Sequence, residues 1–215
     1  MAPIEAGCLA VLAVFAWTWR TRLGESGFRR ELAAVALAAW LTEDSCIRLY
    51  GFYEYHAPWS VFVDRVPLVV ALVWPVVILS ARDVALALAG GDAVKSLART
   101  GAIVLADAAL IEPIAVHAGL WRWTTEGPFG VPVVGIAGWS VFAWAVSLAL
   151  VKGPALAVWL PPLLTHALLL ALWWGGLRWI PAPPAEGAAV SAVVIAGFLT
   201  VTIARTAHRP IGGAV

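Results

Sequence analysis

Charge is scarce in this chain. Only 13% of its 215 residues are Asp, Glu, Lys or Arg, and 62% are hydrophobic. A soluble domain carries about 25% charged and about 45–50% apolar residues. The mean hydropathy of +0.89 therefore predicts an integral membrane protein. Other absences exclude particular chemistries. Lysine occurs only at Lys95 and Lys152, near the ends of apolar runs, so there is no mid-membrane lysine in a last span to form a retinal Schiff base. No HxxxH or HxxHH motif supports a membrane di-iron oxygenase, and no DDxxD or NDxxD pair supports magnesium-diphosphate chemistry. A P-loop and a GxSxG elbow are both missing. The two cysteines, Cys8 and Cys46, form no metal or redox spacing and read as small apolar residues. A net charge of +1 gives no reason to expect nucleic acid or an acidic polymer as partner. No basic region precedes the first apolar run, so a cleavable signal is not expected.

What remains is apolar sequence in long runs. At about 20 residues per span, the runs predict seven transmembrane helices, at 3–19, 31–50, 66–82, 99–120, 131–151, 154–175 and 188–205. The fold class is all-α and polytopic, with residues 1–215 forming one helical transmembrane domain. Basic residues gather in the cytoplasmic loops of membrane proteins. Arg20, Arg22, Arg29, Arg30, Arg82, Lys95, Arg99, Lys152, Arg205 and Arg209 fall on one side of this topology, against Arg48, Arg65, Arg122 and Arg178 on the other. The expected arrangement has the N-terminus outside and the C-terminus cytoplasmic, with the 51–65 loop and the 121–130 turn together on the outer side. PAPPAEG at 181–187 reads as a stiff connector. Several of the thirteen tryptophans, Trp19, Trp59 and Trp179 among them, sit near span ends as interfacial anchors. Trp40, Trp74, Trp139, Trp144 and Trp159 fall within spans, where they pack the bundle or wall an elongated ligand.

Ionisable groups inside apolar spans are functional candidates by default. In the second span, Asp44 and Arg48 are four apart and share a helix face, which predicts an ion pair. Glu43 points about 100° away, towards Trp40, Cys46 and Tyr50, with no obvious partner. An unpartnered carboxyl in an apolar site favours its neutral form, which can donate a proton. The fourth span carries Asp107, at mid-depth, and Glu112. They lie five apart, about 140° around the helix, so Pro113 must bend the helix if both are to face one groove. Each carboxyl has a plainer reading as a helix-locking or interfacial group. So has His117, near the outer end of that span.

The most informative stretch is DAALIEPIAVHAGLWRWTTEGPFGVPVVGIAGW, residues 107–139, together with the earlier GFYEY and VPLVVALVW segments. These pieces resemble the carotenoid biosynthesis membrane proteins that include the carotenoid 1,2-hydratases. The matching positions are Gly51, Tyr53, Tyr55, Val66, Pro67, Trp74, Asp107, Pro113, Gly119, Trp121, Trp123, Gly130, Val131, Pro132, Gly138 and Trp139. Glu112 stands where the family pattern has Asp, and Gly135 where it has Asn.

The resemblance implies a multi-pass enzyme of the bacterial cytoplasmic membrane that modifies the end group of a carotenoid or related isoprenoid. A carboxylic acid would protonate a terminal double bond, aromatic faces would stabilise the tertiary carbocation, and water addition or ring closure would follow. No metal or redox cofactor is needed for that chemistry. The expected acid is Asp107 or Glu112, with Glu43 holding water or taking the final proton. Tyr53, Tyr55, Trp74, His117, Trp121, Trp123 and Trp139 are the expected substrate-binding residues. Two other classes fit the same residues. A transporter would use the carboxyls as proton relays, although no internal repeat is visible. A membrane assembly partner would use them only to lock helices.

Overall fold

The computed structural model describes residues 2–174, apart from 57 and 126, together with residue 196. These residues are mostly helical. The first two expected spans form a single helical element, α1 (Ala2–Tyr50), interrupted at Gly24 with φ 71° and ψ 162°. Only glycine adopts that left-handed backbone without steric penalty, so the change of direction falls there, amid Arg20, Glu25, Arg29 and Arg30. The next four spans correspond to α2 (Leu68–Leu88), α3 (Ala93–His117), α4 (Val133–Lys152) and α5 (Pro154–Trp174). The seventh expected span, 188–205, lies outside the described residues. Among the described residues, α2, α3 and α4 are long and apolar enough to cross a membrane.

Helix α3 begins six residues earlier than its apolar run because Asp92 caps it. The Asp92 carboxylate accepts the backbone N–H groups of Val94 and Lys95, both at 3.0 Å, satisfying donors that have no partner within the helix. Pro67 and Pro132 precede α2 and α4, and Pro154 opens α5, where a missing N–H does no harm.

The helices pack as a ring. Each α-helix from α1 to α4 contacts the next, and α5 returns to α1. Phe15, Trp19, Val35, Ile78, Leu79 and Phe142 fill the largest buried cluster. Large apolar side chains also remain on the outside, including Val14, Trp17, Val84, Leu88, Leu110 and Trp159, as befits helices facing lipid. The joints between α3 and α4 use small residues. A Cβ placed on Gly101 would lie 3.3 Å from the Ser140 backbone oxygen, and Ser140 Oγ donates to the Gly101 carbonyl at 2.8 Å.

The connection between α1 and α2 is more ordered than a solvated loop. It holds β1 (Tyr53–Tyr55), β2 (Phe62–Val63) and β3 (Val66–Pro67), and β4 (Trp121–Trp123) follows α3. β2 and β3 form a short hairpin, while β1 pairs antiparallel with β4. The pairing sets Tyr53 opposite Trp123 and Tyr55 opposite Trp121. It brings together the two segments that the loop-charge pattern assigns to one side.

Two outcomes follow for stability. Gly101→Leu should destabilise the folded protein by about 1–3 kcal/mol through overpacking of α3 against α4, read as earlier unfolding in a denaturant titration in detergent. The backbone N–H of Lys95, first among several donors, holds the Asp92 carboxyl below its ordinary range. Its contribution is therefore complete above the unfolded-state value and is lost as pH falls through the lower folded value. Asp92→Asn should remove this acid dependence from the unfolding profile.

Candidate functional site

The strand pair β1–β4 sorts its side chains by the two-residue period of an extended chain. Glu54 and Arg122 leave the outer face and pair at 2.9 Å, both exposed. Tyr53, Tyr55, Trp121 and Trp123 leave the other face, with ring centroids 4.8 Å apart for Tyr53–Trp123 and 5.8 Å for Tyr55–Trp121. That aromatic face closes over a cavity of about 380 Å³, bounded otherwise by α2, α3, both ends of α1 and Trp139 of α4.

Three carboxyls line the cavity: Glu43 from α1 and Asp107 and Glu112 from α3. Glu112 is buried and held by three indoles. Trp121 Nε1 and Trp123 Nε1 donate to Oε2 at 2.9 and 3.0 Å, and Trp139 Nε1 donates to Oε1 at 2.9 Å. An indole N–H can only donate, so both Glu112 oxygens are engaged as acceptors. Glu43 is 1% exposed and is not the unpartnered group its sequence position suggests. Tyr55 Oη and Trp74 Nε1 both donate to it, because β1 folds back over the end of α1 and α2 passes beside it. The two carboxyls are linked through their donors. Trp74, bound to Glu43, stacks on Trp139, bound to Glu112, with centroids 3.6 Å apart and planes 24° from parallel.

Asp107 lies about one and a half turns along α3 from Glu112, roughly 7.5 Å of helix rise. It is half-buried, lines the same cavity, and makes no hydrogen bond or ion pair among the described residues. Pro113 lies within α3, next to Glu112. Around the carboxyls the cavity wall is aliphatic, including Val69, Val73, Val77 and Val104. Ile4, Ile111 and Ile114 line the cavity while also being 43%, 47% and 60% exposed. The cavity thus has an apolar, exposed rim.

Of the expected aromatic residues, Tyr53, Tyr55, Trp74, Trp121, Trp123 and Trp139 all line the cavity. His117 does not. It is exposed at the last turn of α3, between Ala115 and Ala118, which do line the cavity. Asp44 and Arg48 pair at 2.9 Å, away from the cavity. Arg48 also pairs with Asp64, and Asp44 accepts the Arg65 backbone N–H at 3.3 Å, so this group fastens the β2–β3 hairpin to α1. Gly135 packs against Trp123: a Cβ there would meet the indole at 2.6 Å. A side chain at position 135 would thus displace Trp123, one of the three indoles that hold Glu112.

A second polar group went unread in the sequence. His166 on α5 is buried between α1 residues, with Nε2 at 2.7 Å from Ser45 Oγ and Nδ1 at 2.9 Å from Tyr50 Oη. A histidine inside the apolar run LLTHALLL was the available signal. Its hydrogen bonds fasten the last described helix to the first. Among the described residues, no group of three His, Cys, Asp or Glu side chains is placed to hold a metal ion.

A ring of apolar helices around an acid-bearing, tryptophan-walled cavity defines a helical membrane protein suited to an isoprenoid-like hydrophobic ligand. The family model described as carotenoid biosynthesis protein matches residues 6–173, and the chain belongs to that family. Its role accordingly lies in carotenoid biosynthesis. No curated protein and no solved structure matches the chain.

The three Glu112 donors should not be equivalent. Trp139→Phe leaves Oε1 without a donor and should cost about 1–3 kcal/mol of stability. Trp121→Phe or Trp123→Phe leaves Oε2 one donor and should cost less. Detergent unfolding of the three variants gives the order.

Proposed function

We propose that the protein is a cofactor-independent enzyme that modifies a carotenoid end group by protonating its terminal double bond. The observation that carries this reading is the convergence of Glu43, Asp107 and Glu112 on one apolar cavity rimmed by the exposed Ile4, Ile111 and Ile114. A polyene end could enter from the bilayer, and the cavity volume suits the tip of such a chain rather than its whole length.

Asp107 is the proton donor in this reading, since no described residue engages its carboxyl and it lines the cavity. Glu112, whose oxygens are fixed by indoles, supplies a preorganised negative pole for the cation. The faces of Trp74, Trp139 and the β1–β4 aromatics supply π density. Glu43 receives the proton released when the cation is quenched. Addition of water gives a tertiary alcohol, and attack by an internal double bond gives a ring. Both outcomes share the first step. The site would sit towards the outer side of the bacterial cytoplasmic membrane, following the distribution of Lys and Arg.

Expression in a lycopene-producing host tests the reading. A new carotenoid is expected, and Asp107→Asn and Glu112→Gln should each lower its yield by about 100-fold or more, the usual scale of positioned proton transfer. Unchanged lycopene in cells holding folded, membrane-inserted protein would refute it. Loss of assembly with another membrane protein, and no change in carotenoids, would instead mark the carboxyls as helix locks.

A further inference from the structure

Behind Glu43, away from the main cavity, lies a chamber of about 40 Å³ between α1, α4 and α5. Glu43, Tyr53, Trp123 and Trp139 line both spaces and form the partition between them. The chamber is not purely apolar. Thr42, Cys46 and Thr165 face it along with Glu43. Thr165 is 4% exposed, and its hydroxyl has no hydrogen-bond partner among the described residues. A buried hydroxyl left without a partner costs free energy, so the fold needs a reason to keep one here. An isolated water needs about 10–15 Å³ and two to four polar partners, and dry cavities are apolar ones. This chamber has the room and the groups.

We propose that the chamber is a water site, held by Thr165 Oγ1 and Glu43, and that it supplies the water that quenches the cation in the main cavity. The second half rests on the protonation chemistry proposed above; the first half does not. The chemistry balances without an oxidant or reductant. Asp107 gives its proton to the double bond, leaving a tertiary cation. The water oxygen forms the new C–O bond, one of its O–H bonds breaks, and that proton passes to Glu43. Transfer of a proton from Glu43 back to Asp107 resets the site, so the net change is H and OH added across one double bond. The location of the chamber thus favours hydration over ring closure, because the base and the water stand on the same side of the cation.

Gly138 permits a direct test. It lines the chamber, and a Cβ built on it meets nothing within 4 Å. Gly138→Ala therefore fills the space without a clash, and alanine suits the interior of α4 better than glycine. Thr165→Val removes the hydroxyl at nearly constant shape, and Thr165→Ser keeps it. A high-resolution experimental structure of the full chain should show an ordered water about 3 Å from Thr165 Oγ1; a dry chamber overturns the site. Purified protein in lipid vesicles, given lycopene in ¹⁸O-water, should form a labelled alcohol. Gly138→Ala and Thr165→Val should lower that product at least about tenfold, with Thr165→Ser restoring most of it. A water in the chamber with no reaction of lycopene would defeat the protonation reading while the water site stood. A wild-type product without label, or unchanged labelling in both filled and dehydroxylated variants, would overturn the delivery role.

Discussion

The architecture turns on one stacked pair of indoles. Trp74 and Trp139 lie face to face at 3.6 Å, and each donates its N–H to a different buried glutamate. Neither carboxyl could be kept in an apolar bundle without such donors, because a buried polar group left unpaired costs more than a typical hydrogen bond returns. The stack therefore fixes α2 against α4 and, through the glutamates, fixes both against α1 and α3. Four helices share one polar junction, and the cavity is the space beside it.

The strand pair completes that junction from above. Two of the three residues in each of YEY and WRW face inward, and all four are aromatic; the intervening Glu54 and Arg122 pair outside. This alternation gives Glu43 its tyrosine donor and Glu112 two of its indoles. The remaining acid, Asp107, lies along α3 beyond the reach of β4. Among the described residues, the cavity thus has two carboxyls held by aromatic donors and one, Asp107, that no described side chain engages.

Much of this was legible from residues alone. The apolar runs marked five of the helical segments described, and the rule that ionisable groups in such runs are functional pointed to Glu43, Asp107 and Glu112. The aromatic positions of the GFYEY and GLWRW segments were visible too. Their pairing was not, because β1 and β4 are three residues each and too short for any pattern to predict. The loop expected at 20–30 does contain the break of α1, at Gly24, although the residues on either side of it are helical. His166 carried the same signal as the other intramembrane ionisable groups and was passed over, and His117 looked closer to the site than it is.

Composition and local periodicity determined that the chain forms apolar helices, and that a few acids and many tryptophans must lie among them. Those properties depend on neighbours along the chain. The identity of each partner was decided only in three dimensions. Glu43 and Trp74 are 31 residues apart, and Glu112 and Trp139 are 27 apart. Such contacts depend on how helices rotate and cross, which a one-dimensional pattern leaves open. Whether an acid buried in lipid locks a bundle or faces a cavity is set by that rotation.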